Sequence, residues 1–298
     1  MKSFKFFSEE FLEEQAEMLM EKLITFGGKA YPKFGNVLIM AGGAGSGKGF
    51  VQSNLIGMEG KSFDPDALKK LAGKSPLINK RVKDEFGVDL KDLGAKLKVP
   101  ENVSKLHAII GDALNLPNRK ESAFFSSVMS AAADRKPNII FDTTLKDAGK
   151  LQKLSSQVTE LGYDKKNIHI VWVVNDIEVA KQQNLKRDRV VPTEILINTH
   201  RGAANTMGDI LRMGKSLSNY MDGDLVFAFN KVGVDTELVK SKTRNKRGDK
   251  AFYVKDANYV YIKRAGKSLP PLDTLNKQML AKVKEYVPKN IHWDNLEL

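Results

Sequence analysis

Residues 42–48 read Gly-Gly-Ala-Gly-Ser-Gly-Lys, a G-x-x-x-x-G-K run, and what flanks it limits the chain more than any other feature. Asn36-Val37-Leu38-Ile39-Met40 comes before it, an apolar run long enough only for a buried strand. A helix from about Lys48 to Leu55 is expected after it. Glycines let the backbone bend until successive N–H groups face one anion, and the following helix adds the positive end of its dipole. Gly42, Gly43, Ala44, Gly45, Ser46, Gly47, Lys48 and Gly49 therefore form the expected cradle for nucleotide phosphates. Lys48 is placed to reach the β- and γ-phosphates. The hydroxyl that ordinarily follows the lysine and binds magnesium is replaced by Gly49, with Phe50 next. Ser46, or a carboxylate acting through water, is the expected substitute.

Similar units recur along the chain. Residues 61–64 suggest a second strand running into Phe63-Asp64-Pro65-Asp66. Asn138-Ile139-Ile140-Phe141, Ile168 to Val174 and Leu225 to Phe229 read as further buried strands. Helices are expected over about 119–135, 147–161, 176–186 and from Pro192 to about 213. Short apolar strands alternating with helices indicate a parallel sheet covered on both faces. The expected fold class is α/β, a P-loop NTPase-type parallel sheet flanked by helices, with a helical insertion and a small α+β C-terminal appendage. The boundaries are an N-terminal helix within 1–34, a core domain over 35–235 with its insertion at about 66–118, and a basic appendage over 236–298. In the first segment an amphipathic helix is expected over 8–25, capped by Ser8. In the last, Ala251–Val254 and Tyr259–Ile262 are expected to form a small hairpin, followed by a helix over about 271–286.

Composition narrows the chemistry. There is no cysteine among the 298 residues, which excludes disulfides, thiolate zinc sites and a thiol nucleophile. No run of 18 apolar residues is present, and the beginning of the sequence lacks the pattern of a signal peptide, so a cytoplasmic protein without membrane contact is expected. The net charge is +12. Residues 240–267 hold ten Lys and Arg against Asp249 and Asp256, a net of +8. That concentration suits contact with nucleic acid, and Phe252, Tyr253, Tyr259 and Tyr261 are available to stack on bases, although core packing is expected for at least two of them.

Phosphoryl transfer needs positioning, charge neutralisation and a base near the attacking hydroxyl. Asp66 follows the second strand and precedes Lys69, with Asp64 as its rival for the base. Asp142 and Thr143 end the next strand, on the carboxyl edge where open α/β sheets bind ligands. Asp142 could hold a magnesium-bound water or the acceptor hydroxyl. Arg187 and Arg189, between a helix and Pro192, suit neutralisation of the charge that develops in transfer. The four histidines lack metal-ligand spacing. His169 is expected to be structural; His200, on the helix after Pro192, could face the site, but packing is the preferred expectation.

Taken together, these residues resemble the zeta-toxin-like P-loop kinases over roughly residues 36–232. The likeness rests on the cradle, on Phe63-Asp64-Pro65-Asp66 with Lys69, on Asn138 to Thr144, and on Arg187-Asp188-Arg189-Val190-Val191-Pro192 with His200. It implies that Asp66 deprotonates the acceptor hydroxyl and that Arg189 belongs to a lid touching the phosphates. The family usually has Glu-Gly-Thr where this chain has Asp142-Thr143-Thr144. Polynucleotide 5′-hydroxyl kinases are similar in element order and in the Asp-x-x-Lys pattern. The expected function is transfer of the γ-phosphate of ATP, with Mg2+, to a hydroxyl on a nucleotide sugar or a modified nucleic acid. The alternative is a nucleic-acid-stimulated P-loop ATPase or binding module with no phosphate acceptor.

Overall fold

The computed structural model describes residues 23–65, 72, 74–131, 135–229, 238–244, 250–254 and 259–277, with backbone alone for 112, 238–244 and 250–254. In chain order, β1 is Val37–Ala41 and α1 is Lys48–Asn54. β2 is Lys61–Phe63. Then come α2, Pro76–Phe86, α3, Leu90–Ala95, and α4, Pro100–His107, which runs into a π-helical turn at Ala108–Ala113. α5 is Leu116–Met129 and β3 is Ile139–Asp142. α6 is Ala148–Glu160, β4 is Ile168–Val174, and α7 is Ile177–Leu185. α8 is Thr193–Arg212 and β5 is Leu225–Phe229. β6 is Leu238–Arg244, β7 is Lys250–Val254 and β8 is Tyr259–Lys263.

Six strands form one sheet in the order β2-β3-β1-β4-β5-β8. The first five are parallel and β8 runs antiparallel beside β5. This is a P-loop NTPase-like α/β sheet with helices on its faces. Alternation along β1 explains the layering, because neighbouring side chains on a strand leave opposite faces. Val37, Ile39 and Ala41 enter a core with Val128 of α5, Leu151 and Leu154 of α6, and Met207 and Ile210 of α8. Leu38 and Met40 enter the other, with Val51 of α1, Ile24 and Phe26. Strands buried on both faces must read as unbroken apolar runs, and these do.

The insertion between β2 and β3 carries a small core of its own, with Val82, Leu90, Leu93, Leu106 and Ile110 in contact. Its helices start and stop on local signals. Ser75 accepts from the Ile78 N–H before Pro76, Gly87 ends α2 in the left-handed region, and Asp89 caps α3.

Three expectations change. Tyr259–Ile262 does not form a hairpin with Ala251–Val254. β7 pairs with β6, and β8 joins the main sheet, with Ala228 opposite Tyr259. Local alternation gave the strands correctly but not their partners, because β8 finds its neighbour in a strand that already has one buried flank. Residues 23–25 are not helical. Ile24 bridges to Ile56 and Phe26 to Lys29, while residues 8–22 lie outside the described part of the chain. α5 begins ahead of position 119, after Asn115 in the left-handed region and with a proline in its first turn.

The amino ends of the strands carry a buried polar layer. His169 Nε2 meets Asn36 Oδ1 at 3.2 Å, and Asn36 N–H donates to Asn138 Oδ1 at 3.0 Å. Asp224, fully buried, accepts from the Gly27 N–H at 2.7 Å and lies 3.1 Å from His169 Nδ1. Burial pushes its carboxyl up, but the hydrogen bonds from His169 and Gly27 outweigh that and hold it below the usual range. The layer sits opposite the cradle, so His169 is structural. β8 closes the layer: Lys263 Nζ donates to Asp222 Oδ1 at 2.8 Å, and Arg264 lies over the Tyr261 ring. Tyr261 hydroxyl accepts from the Thr25 N–H at 2.7 Å, and the Tyr259 hydroxyl donates to Leu23 O at 3.2 Å. Two of the aromatics considered for base stacking are thus packed against the core.

Candidate phosphate-binding site

Parallel register brings the carboxyl ends of three strands to one level. Phe63 of β2 pairs with Phe141 of β3, and Met40 of β1 pairs with Asp142. The chain therefore leaves β2 at Asp64, β3 at Asp142 and β1 at Gly42 along the same edge of the sheet. Strand order reverses about β1, so this edge is where a crevice opens in such a sheet.

The cradle's backbone is set by glycine where nothing else fits. Gly42 has φ +144°, and a Cβ there would lie 2.8 Å from both Val173 O and Ser46 Oγ. Gly45 has φ +74°, with a Cβ 2.9 Å from Ala180 O. Gly47 has φ +89° and stands at the start of α1. Gly49 differs, since a Cβ there meets open space. We expect Gly42→Ala to weaken nucleotide binding at least about tenfold, because the obstruction is a backbone oxygen of β4 that cannot swing aside. Gly49→Ala, inside a helix, should instead raise stability by roughly 0.5–1 kcal/mol. Thermal unfolding and equilibrium nucleotide binding on the two variants check this; equal behaviour would contradict it.

Lys48 lies across the mouth of the loop. Its Nζ donates to Gly42 O at 2.9 Å and to Gly43 O at 3.4 Å, and sits 3.7 Å from Asp142 Oδ1. The Lys48 side chain is mostly enclosed, at 14 % exposure. Of the residues expected at the site, Lys48, Asp142 and the loop are thus brought together. Thr143 N–H donates to Met40 O at 3.0 Å, which aligns the end of β3 with β1. Ser46 is 1 % exposed, with its hydroxyl beside Gly42. Asp64 stands half-buried at the end of β2. Asp66 and Lys69 lie outside the described residues.

The arginine segment is fastened from both sides. Asn184 Nδ2 donates to Val191 O at 2.7 Å and its Oδ1 accepts from Val191 N–H at 3.0 Å. Val190 N–H donates to Leu97 O of the insertion at 2.9 Å. Within it Arg189 is buried and Arg187 exposed. The bidentate Asn184 clasp spans seven residues and has no signature in the sequence.

Three residues that sequence reasoning left out, or assigned to packing, touch the loop itself. Thr199 Oγ1 accepts from the Ala44 N–H at 3.0 Å, and His200 Nε2 lies 2.8 Å from Ala44 O. Asn175, just past β4, donates from Nδ2 to Gly45 O at 3.3 Å. Burial pushes the His200 imidazole below its ordinary value, the Ala44 carbonyl opposes that shift, and Lys48 adds to it. That His200 could face the site was visible from its place after Pro192, but its contact with Ala44 O, and the part played by Thr199, were not. Among the described residues, no grouping of three acidic, histidine or cysteine side chains forms a ready metal site, and no helix is long and apolar enough to cross a membrane.

Residues 110–227, under half of the chain, match the family model described as zeta toxin. No curated protein sequence matches. Among solved structures, AvrRxo1-ORF1:-ORF2 with ATP is 10 % identical at TM-score 0.44, over 94 % of this chain and 73 % of that one. The PezAT toxin–antitoxin system of Streptococcus pneumoniae is 14 % identical at TM-score 0.39, over 77 % and 78 %. TT1252 from Thermus thermophilus is 17 % identical at TM-score 0.33, over 67 % and 91 %. These three overlaps are distant.

Proposed function

We propose that this chain, zeta-toxin-like in its family match, is an ATP-dependent P-loop kinase that moves the γ-phosphate to a hydroxyl group. One observation carries the reading. Lys48 is held between the loop carbonyls and Asp142 at the sheet edge where β2 also ends, so cation, loop and carboxylate already face one crevice. A triphosphate entering there replaces weak anion substitutes with strong ones.

Lys48 and Arg189 neutralise charge on the transferring group, with Arg187 in support, and Asp66 takes the acceptor's proton. Lys69 and Asp64 lie on the acceptor side with Thr143. Magnesium, when bound, would neutralise part of the charge on the phosphates. Among the protein oxygens at the loop, Asp142 suits it best, through water. A hard cation that keeps several waters needs only one or two carboxylates, which fits a loop whose Gly49 offers no hydroxyl. Ser46 is the weaker ligand, because its hydroxyl is buried against Gly42.

The acceptor we favour is a nucleotide sugar or a nucleic-acid hydroxyl. In the basic 240–267 segment, Lys263 and Arg264 are engaged in closing the fold. The exposed Lys267 and the remaining basic residues are the candidates for polyanion contact. The decisive experiment supplies γ-labelled ATP and magnesium with three acceptor pools: nucleotides, nucleotide sugars, and DNA carrying modified bases. Label is expected in one pool. Release of labelled phosphate alone, stimulated by DNA, would replace the kinase with the ATPase reading.

A further inference from the structure

We propose that His200 is a positioning residue, which with Thr199 fixes the two peptide planes on either side of Ala44 and so aims the loop for a triphosphate. The inference rests on the nucleotide-binding reading above and adds to it the device that holds the loop.

A trans peptide unit points its carbonyl and the next N–H in opposite directions. Thr199 holds the Ala44 N–H at 3.0 Å, so the Gly43 carbonyl of the same unit is turned away from α8. That carbonyl there accepts from the Ser46 N–H at 3.2 Å and from Lys48 Nζ at 3.4 Å. His200 holds the Ala44 carbonyl at 2.8 Å, so the Gly45 N–H is turned away from α8 in its turn. Consecutive residues of one helix thus set consecutive units of the loop. Asn175 then takes the Gly45 carbonyl, extending the pattern to a third unit.

The chemistry of each group fits. Ala44 O can only accept, so Nε2 carries the proton, and the ring's depressed basicity keeps it neutral in that tautomer at neutral pH. Thr199 donates its hydroxyl proton to Leu196 O at 2.7 Å, which leaves its lone pairs for Ala44. The ring also occupies the only space a side chain at 43 could use: a Cβ on Gly43 would lie 2.2 Å from His200 Cδ2. Helix α8 begins at Thr193, just past Arg189, and reaches the loop about two turns later. The arginine segment and the cradle are therefore joined by one rigid element.

The test is equilibrium binding of ATP by calorimetry, which needs no acceptor, with steady-state KM and kcat beside it. His200→Ala should bind ATP about tenfold more weakly, the loss of one well-aligned hydrogen bond. His200→Gln, which carries a donor at similar reach, should recover affinity to within about threefold of wild type. The acceptor KM should not move. Thr199→Val, of nearly equal volume, should weaken ATP binding about threefold or more, and decides the matter if His200→Ala does not fold. His200→Ala binding within twofold of wild type overturns the proposal. So does a His200→Gln variant as weak as His200→Ala, since ring volume and not the donor would then matter. A wild-type protein that binds no ATP removes the nucleotide reading instead.

Discussion

Lys48→Ala is expected to lower phosphoryl transfer by about a thousand-fold, with ATP affinity falling as well. In the free chain the amine is already held by the Gly42 carbonyl at 2.9 Å and lies 3.7 Å from Asp142. Its removal takes a positive charge from the transferring group and leaves a carbonyl and a carboxylate facing the incoming phosphates. Transition-state and ground-state terms therefore worsen together, so kcat and KM should both move. Lys48→Arg should restore little, because a planar fork cannot take the place of a compact ammonium between two carbonyls of one tight loop. The variant should stay folded, since the side chain belongs to no hydrophobic core. Steady-state transfer and calorimetric binding check this; a Lys48→Ala protein within tenfold of wild type would sink the cradle assignment.

Asp66→Asn is expected to lower kcat by roughly 10²–10⁴-fold and to leave ATP affinity nearly unchanged. Asparagine keeps the size and the hydrogen-bonding oxygen but cannot accept the acceptor's proton. The informative comparison is with Asp64→Asn and Asp142→Asn. Asp142 is close to Lys48, so its loss should raise the requirement for magnesium and ATP as well as slow turnover. Asp64 should matter least. If Asp142→Asn produces the larger fall in kcat with ATP binding intact, the base belongs at the end of β3 and not after β2.

What the sequence made legible follows from what local physics can encode. β4 and β5 were placed residue for residue, Ile168–Val174 and Leu225–Phe229, because a strand buried on both faces leaves an unbroken apolar run between polar breaks. The cradle was legible for the same kind of reason: glycines stand where φ is positive, and a strand and a helix flank them. The partner of β8 was not legible, because pairing with β5 depends on an edge created by the other strands. His200 shows the limit clearly. A histidine within a 20-residue amphipathic helix reads as packing, and it does pack, against Gly43. Its donor role depends on a carbonyl 156 positions away. The buried layer of Asn36, Asn138, His169 and Asp224 shares that character, since polar partners distant in sequence leave no periodicity.

The fastening of Leu23–Lys29 onto the far end of the sheet has a consequence for how the chain is made. Its anchors are Asp224, Tyr259, Tyr261 and Arg264, more than 190 positions downstream. Ile24 can bridge to Ile56 early, but the side-chain fastening of Leu23–Lys29 must wait until β5 and β8 have been made. Pairing of such long range is slow, because closure of a large loop precedes any contact that rewards it. The nascent protein thus passes through a stage in which β5 is an unprotected border, and the arrival of β8 both seals that border and completes the seating of Leu23–Lys29.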